Sequence, residues 1–316
     1  MEPTPARDHY ANGFLVRLVI IGCVLLAVEA VARVVLVPAS NTQRRIEAEL
    51  GAALRLASNS QHPTVLVVGN SLLVEGIQVD SLHAQTSTGL HVQPLAIEQT
   101  VYFDWLYGLR HLQASGSRPD VVGVMLPRTH LLSSGFRGPY SVFRMVDTRD
   151  IPSLARDLKA NLTTTSGYYF AEVSAFYSMR SDLRNVFLPL MVPRMNLLAP
   201  VFGGYAAFSN RTAPPTLDTL SLARQRLRRM KQVVESMGAR LLWIIPPSGV
   251  HSAAFDPSRD LVLRAARDEA VDVFEVEETA PYPASAYFDG FHLNAGGALR
   301  YTPELSRELL RRYHRQ

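Results

Sequence analysis

Short apolar runs alternate with helical periods along the chain from residue 63 onward. Five of the runs have the length of strands, and most are rich in β-branched residues. They cover residues 64–68, 91–97, 120–126, 240–245 and 271–276. Because strands that alternate with helices favour a parallel sheet covered on both faces, the pattern predicts an α/β fold with a three-layer, five-stranded parallel sheet.

Helical periodicity fills most of the intervals between these runs. The predicted helices cover residues 72–84, where the signal is weakest, 103–114, 217–237, 258–269 and 295–314. The segment at about 128–215 breaks this rhythm, because it is too long for an ordinary connection and is rich in aromatic residues and Met. We interpret it as a helical insertion packed on the sheet's edge, or as a lid, an acceptor-binding surface or a hydrophobic face turned to a membrane or a partner.

Residues 14–37 form an apolar run long enough to cross a bilayer core of roughly 30 Å as a helix. Arg17 and Arg33 lie near its two ends, where long side chains reach the headgroups. Glu29 needs an explanation, because a carboxylate inside a membrane is costly and is usually paired. We expect Glu29 near the outer interface or against a polar partner in another membrane protein. The run itself predicts a transmembrane signal anchor, with a cleaved signal or a buried helix as the alternatives.

The position of this predicted anchor indicates the membrane topology and the order of the segments. Arginines flank it on both sides, so the positive-inside rule does not set its direction. One hydrophobic segment ahead of a folded domain is typical of a signal anchor, and we expect a single-pass inner (cytoplasmic) membrane protein with an extracytoplasmic domain. The expected order is a short tail (1–13), the anchor (14–37), a polar helical stalk (38–62) and the α/β domain (63–316) with its insertion.

The composition of the chain excludes several kinds of site and partner. Cys23 is the only cysteine, so no intramolecular disulfide and no cysteine-based metal site is expected, which suits a bacterial envelope. The run 20–23 is similar to a lipobox, and lipidation of Cys23 is a minor alternative to the anchor. The net charge of +4 comes from scattered arginines, so no nucleic-acid partner is expected. The nine histidines lack paired ligand spacing, and the stretch GNSLLVEG lacks the glycines of a dinucleotide site, so neither metal nor cofactor is expected.

The first predicted strand breaks at Gly69-Asn70-Ser71 and leaves a hydroxyl at the break. In an open parallel sheet, ligands bind beyond the carboxyl ends of the strands. The hydroxyl of Ser71 is also expected at the start of a helix, where unpaired backbone N–H groups favour developing negative charge. This is a suitable place for a nucleophile, although Asn70 or Ser71 would equally serve as a helix cap.

Asp289 and His292 follow the last predicted strand and are close enough in sequence for one turn to place them on the same side. A carboxylate beside an imidazole sets its tautomer and stabilises its protonated form, while the other ring nitrogen takes a proton from a serine. Taken singly, Asp289 is typical of a turn beside Gly290, and His292 of a histidine satisfied within a loop.

Together the two stretches resemble the blocks of the SGNH, or GDSL-like, hydrolase superfamily. The resemblance covers the chain from about residue 63 and implies Ser71 as nucleophile, His292 as base and Asp289 as the group that orients the base. The superfamily normally has a glycine after the second strand and a Gly-x-Asn-Asp block after the third. This chain has AIEQT at 96–100 and LPRTH at 126–130 instead. Donors to an oxyanion are therefore sought in the Ser71 backbone and in four side chains: Asn70, Gln99, Arg128 and Thr129.

The anchor, the insertion and the altered blocks look similar to the membrane-anchored branch that modifies envelope polymers, as in alginate O-acetylation and teichoic acid D-alanylation. That resemblance implies a membrane-bound O-acyltransferase as partner. We therefore predict an extracytoplasmic serine O-acyltransferase or esterase that acts on an envelope or extracellular polysaccharide, with a polysaccharide or an acyl ester as substrate. The alternative is a non-catalytic scaffold of a polysaccharide synthesis or secretion complex.

Overall fold

A computed structural model describes residues 6–36, 38, 40–57, 61–180, 217–247, 258–276 and 282–313. Five strands form one sheet in the order β2-β1-β3-β4-β5, and every neighbouring pair is parallel. The strands are β1 (Thr64–Gly69), β2 (His91–Ala96), β3 (Val121–Met125), β4 (Arg240–Ile245) and β5 (Asp272–Glu275). The predicted α/β fold is thereby confirmed, and the strand order is that of flavodoxin-like sheets.

Helices cover both faces of this sheet and complete three layers. The helices are numbered α1 (Ala6–Val31), α2 (Asn41–Leu54), α3 (Ser71–Gly76), α4 (Val79–Thr86), α5 (Tyr102–Ala114), α6 (Arg128–Leu131), α7 (Pro139–Met145), α8 (Ile151–Asp157), α9 (Leu162–Val173), α10 (Leu217–Ser236), α11 (Arg259–Asp268) and α12 (Ala295–Tyr313). Each of them except α1 contributes to the core of one of the two outer layers. The single helix predicted over 72–84 is in fact two, because the backbone is extended at Ile77 and Gln78.

Two apolar cores lie on opposite faces of the sheet. Leu66 and Val68 of β1 face the layer that holds α2, α5 and α7–α11. Val65 and Val67 face the layer of α3, α4 and α12. Because β1 and β3 are buried on both faces, they read as continuous apolar runs rather than as alternating patterns.

Helix α2 occupies the segment expected to be a stalk, and it is packed against β2 rather than standing apart. Ile46 and Ala53 are buried in the core, although the helix is polar overall. Glu49 accepts a hydrogen bond from the Ala96 backbone N–H at 2.8 Å, and Arg45 donates to the Ala96 carbonyl at 2.9 Å. These bonds cover an edge strand that would otherwise be open to pairing. The predicted boundary at residue 63 stays a prediction.

Helix α1 is the one helix among the described residues with the length and composition of a membrane span. The candidate span runs over Gly13–Val35, with a mean hydropathy of 2.5, and its residues are mostly exposed, with Ala32 buried near its end. The predicted continuous helix over 14–37 differs in its last turns, which are π-helical at Ala32–Leu36, while Val37 lies outside the described residues. A membrane anchor and a signal sequence both have this composition.

The described part of the predicted insertion, residues 128–180, is helical and packs on the sheet layer of α5, with Tyr168 and Ala171 in the core. Residues 181–216, the rest of the predicted insertion, lie outside the described residues. The carboxylate of Glu29 accepts hydrogen bonds from the backbone N–H groups of Ala175 and Phe176, at 2.7 and 3.2 Å. Glu29 is therefore paired within its own chain, because the segment after α9 reaches the end of α1.

Candidate active site

The break after β1 has a packing cause. A Cβ atom on Gly69 would lie 2.9 Å from the carbonyl oxygen of Met125 and 3.0 Å from the Cβ atom of Leu73, so only glycine permits this close approach. Asn70 then caps α3, because its Oδ1 accepts the backbone N–H of Leu72 at 3.0 Å. The capping role thus falls to Asn70, which leaves the hydroxyl of Ser71 available for chemistry.

A tight hairpin over residues 286–294 holds Asp289 and His292. The Asp289 Oδ1 atom accepts the backbone N–H groups of Phe291 at 2.9 Å and His292 at 2.7 Å. Gly290 has φ +79°, which favours glycine at the tip of this turn. The hairpin is closed by a bond from the Phe288 N–H to the His292 carbonyl at 3.1 Å. The carboxylate and the imidazole are therefore positioned by local backbone geometry.

Helix α12 places this hairpin next to Ser71. It starts directly after the hairpin, where Asn294 Oδ1 accepts the Gly297 N–H at 3.0 Å. A Cβ atom on Gly297 would lie 2.5 Å from the Ala286 carbonyl oxygen, so the helix approaches the hairpin as closely as glycine allows. The helix then packs on α3 and α4, and Thr302 Oγ1 accepts the Gln78 N–H at 2.9 Å.

Three side chains form a continuous hydrogen-bonded chain at the carboxyl edge of the sheet. Ser71 Oγ lies 2.8 Å from His292 Nε2, and His292 Nδ1 lies 2.7 Å from Asp289 Oδ2. The carboxylate accepts the Nδ1 proton, so the Nε2 lone pair faces the serine hydroxyl. The proximity expected from the sequence is observed, while the catalytic roles of the three residues stay predictions.

The charge of Asp289 is maintained by its hydrogen bonds. Partial burial acts to raise its pKa, but the backbone N–H and the ring of His292, together with the Phe291 N–H, outweigh burial and lower the pKa below its usual range. Asp289 is therefore a carboxylate at neutral pH, as a group that orients and stabilises an imidazolium must be.

Two phenylalanines hold the ring of His292. The Phe288 ring stacks on it with 5.4 Å between centroids and 10° between planes, and the Phe291 ring meets it edge to face at 5.1 Å and 85°. Phe288 is 61% exposed, which is unusual for a large apolar side chain beside a polar centre. The two rings therefore form an aromatic rim around the imidazole that contacts Ser71.

His130 is a member of the site that the sequence analysis missed. The Asn70 Nδ2 group donates to the Thr100 carbonyl at 3.0 Å and to His130 Nδ1 at 2.8 Å. The orientation of the Asn70 amide is set, because its oxygen already takes the Leu72 N–H. Nδ1 of His130 is therefore the acceptor, and the ring proton resides on Nε2.

The surroundings of His130 keep its ring neutral. Burial, and secondarily the charge of His292, lower its pKa to about 4. Its ring centroid lies 6.2 Å from that of Phe291, so it borders the same opening as the aromatic rim. In the part of the chain that the structure describes, no acceptor is bonded to Nε2 of His130. His130 thus presents a fixed N–H donor close to the hairpin that carries Phe291 and His292.

The other oxyanion candidates are placed differently. Arg128 is buried and paired with Glu275, which also binds Arg259. Thr129 is half-buried and its hydroxyl has no hydrogen bond to another described residue. Gln99 is exposed with φ +63°, a strained conformation for a residue other than glycine. The sequence could have indicated His130 through its position in the short helix that follows β3, because the carboxyl end of β3 lies at the same edge of the sheet as Ser71.

Within the described ranges, no group of three or more His, Cys, Asp or Glu side chains has an arrangement that would hold a metal ion.

Comparisons with known proteins give the following result. No family model matches this sequence, and no curated protein does at a significant level. Among solved structures, TesA is similar with 14% identity and a TM-score of 0.40, over 78% of this chain and 98% of that one. An acetylxylan esterase, Axe2 from Geobacillus stearothermophilus, has 14% identity and a TM-score of 0.40, over 82% and 98% of the two chains.

LAE5, an alpha/beta hydrolase enzyme from the metagenome of Lake Arreo, Spain, is similar with 13% identity and a TM-score of 0.39, over 82% of this chain and 96% of that one. The named hydrolase and esterase among these structures are enzymes, but likenesses of this degree carry no argument about the present chain. Its function has to be argued from the geometry of the site.

Proposed function

We propose that the protein is an SGNH-type serine acyl-transfer enzyme that works through an acyl-serine intermediate. The observation that carries this proposal is the hydrogen-bonded chain from Ser71 through His292 to Asp289, which joins residues 221 positions apart in the sequence. A scaffold protein has no need of a base in contact with a serine hydroxyl that serves neither as cap nor as core.

The geometry supports a two-step reaction. Ser71 Oγ attacks the carbonyl carbon of an acyl donor while its proton passes to His292 Nε2, and His292 then returns that proton to the departing alcohol oxygen. In the second step, His292 takes a proton from an acceptor hydroxyl, which attacks the acyl carbon and releases Ser71 with its proton restored. Asp289 stabilises the imidazolium in both steps and is not itself protonated.

The altered blocks of the chain still leave donors for the oxyanion. As the first residue of α3, Ser71 has a backbone N–H with no partner inside the helix. His130 supplies a second donor through Nε2–H, and Asn70 holds it in that tautomer. With a pKa of about 4, the ring of His130 is neutral throughout the neutral range, and the single proton of the neutral ring lies on Nε2 because Nδ1 accepts from Asn70. Loss of one such donor typically lowers the rate about a hundredfold or more.

A polysaccharide hydroxyl is the acceptor that we favour over water. The exposed ring of Phe288, which stacks on the His292 ring, offers an apolar face of the kind on which sugar rings stack. Together with α1 as a membrane anchor, this supports an extracytoplasmic enzyme of an envelope polysaccharide. A membrane-bound O-acyltransferase as donor partner belongs to the same proposal and is supported only by the resemblance of the sequence.

The test is acylation of the full-length protein in detergent by p-nitrophenyl acetate. We expect a burst of nitrophenolate, one acetyl group on Ser71 in peptide mass spectra, and slow turnover that a polysaccharide acceptor accelerates. Ser71→Ala should abolish the label. Ser87→Ala, at an exposed serine directly after the C-terminal end of α4, should not. A label that is absent, or that persists in Ser71→Ala, would replace this proposal by the scaffold alternative.

A further inference from the structure

Helix α1 is tied to the segment after α9 by a cluster of polar contacts. The Glu29 carboxylate accepts the backbone N–H groups of Ala175 and Phe176 and the hydroxyl of Ser174, the last at 2.9 Å. Arg33 donates to Glu29 at 2.6 Å and to the Val173 carbonyl at 2.7 Å. The end of the apolar helix and the end of α9 are therefore held at one level.

The apolar run continues beyond this attachment. A bilayer core of roughly 30 Å takes about 20 helical residues, and a span that begins at Gly13 would then end close to Arg33. Glu29 lies within that length. On the C-terminal side of Glu29, the side chains of Val31, Val34 and Val35 are still exposed. The folded domain thus begins before the apolar part of the helix has ended.

The side of α9 that faces away from the core carries large apolar side chains, together with the exposed polar residues Thr163, Thr164 and Ser166 of its first turns. Tyr168 and Ala171 are buried against the sheet layer, while large apolar side chains on the opposite side and just after the helix are exposed. These are Leu162, Tyr169, Phe170, Val173 and Phe176, which we call the α9 collar. Three of them follow the helical repeat at i, i+7 and i+11, so they form one stripe rather than scattered positions.

We infer that the α9 collar is immersed in the interfacial region of the bilayer that α1 spans, so that lipid is its occupant. The collar is continuous with the exposed valines of α1 through the Glu29 and Arg33 contacts, which places both apolar surfaces at the same depth. The inference rests on the membrane anchoring contained in the proposed function.

The same arrangement explains how a carboxylate is accommodated in an apolar run. The oxygens of Glu29 are supplied with donors by the domain itself, so no uncompensated charge faces the hydrocarbon. Arg33 and the exposed Arg180 are long enough to reach the headgroups. Two attachments, the anchor and the collar, then set the orientation of the sheet relative to the membrane, whereas a single helix would leave it free to turn.

The experiment places one fluorophore at a time on the full-length protein in phosphatidylcholine vesicles. Cys23, the natural cysteine on α1, is labelled with an environment-sensitive nitrobenzoxadiazole group in the unmodified chain. Val173→Cys and Leu299→Cys are labelled in a Cys23→Ser background. Leu299 is the matched control, because it is 60% exposed, close to the 65% of Val173, but lies on α12 in the opposite layer. Quenching by spin-labelled lipid and by iodide is then measured.

We expect lipid quenching at Cys23, which lies deeper in the span, and lipid quenching at position 173 several-fold greater than at position 299, with iodide showing the reverse order between 173 and 299. Position 173 quenched by iodide and not by lipid, while Cys23 is quenched by lipid, would overturn the collar and leave the anchor intact. Protection of position 173 from both quenchers would mean a protein contact and would also overturn it. If Cys23 itself is not quenched by lipid, the anchoring part of the proposed function fails as well.

Discussion

Two histidines border the same opening and have opposite proton arrangements. His292 donates from Nδ1 to the Asp289 carboxylate and turns an unprotonated Nε2 to the serine. His130 accepts at Nδ1 from the Asn70 amide and carries its proton on Nε2. One ring is therefore built to take a proton and the other to keep one, although the residue type is the same.

The partner of each Nδ1 atom causes this difference. Asp289 is a carboxylate on a hairpin and stabilises a positive ring, whereas Asn70 is a buried neutral amide that offers only N–H to His130. Burial then lowers the pKa of His130 to about 4 and so disfavours its charged form. The role of an imidazole at this edge is decided by the group behind it, and each neighbour is open to substitution.

The largest effect is expected from Asp289→Asn. An amide in this position favours the wrong tautomer of His292, and we expect the rate of Ser71 acylation to fall by about 10⁴-fold. Single-turnover release of nitrophenolate measures the acylation rate. Asp80→Asn, at an exposed position of α4, is the matched control. A loss of less than tenfold would mean that the carboxylate does not set the state of His292.

His130→Ala should have the second largest effect. Removing its Nε2–H leaves the base intact but takes one donor from the oxyanion, so kcat should fall by about 10² to 10³-fold with little change in KM. His130→Gln, which can return an N–H, should recover part of the loss. Equal activity in the wild type and His130→Ala would remove His130 from the catalytic centre.

His130 should also make the stability of the fold depend on pH. His130 has a folded-state pKa of about 4, below its ordinary value of about 6.5, so the unfolded chain binds more protons between these values. Stability is therefore lost as the pH falls from about 6.5 toward 4, by at most roughly 3 kcal/mol from this group.

Thermal unfolding at pH 7 and pH 4.5 measures this dependence. The wild type should lose more of its unfolding midpoint temperature between the two pH values than His130→Ala does, because the variant has no neutral ring to charge. Identical pH dependence in the two proteins would contradict a half-buried His130 that is kept neutral.

The smallest effect is expected from Phe288→Ala. Loss of the exposed ring should raise KM for a polysaccharide acceptor by about fivefold, equivalent to ~1 kcal/mol, while acylation by p-nitrophenyl acetate changes by less than about threefold. Phe170→Ala, at an exposed phenylalanine of the α9 collar, is the matched control and should leave KM unchanged. An unchanged KM in Phe288→Ala would argue against the aromatic rim as an acceptor surface.

The sequence by itself determined the sheet and the local parts of the site. A strand that is buried on both faces must be apolar at nearly every position, so each strand can be recognised from its own residues alone. Asp289 and His292 were recognisable because a four-residue turn brings them together, so their relation depends on short-range backbone geometry. Ser71 was recognisable from the break of β1.

Only the tertiary structure decided which polar groups meet across long separations. Asn70 and His130 are 60 residues apart, and Glu29 and Ala175 are 146 apart. A partly buried hydrogen bond of this kind depends on how two elements are oriented after packing, and many side chains in the sequence have the same donors and acceptors. For the same reason Arg128, chosen as an oxyanion donor, is found in an ion pair with Glu275, and helix α2, polar in composition, became part of the core.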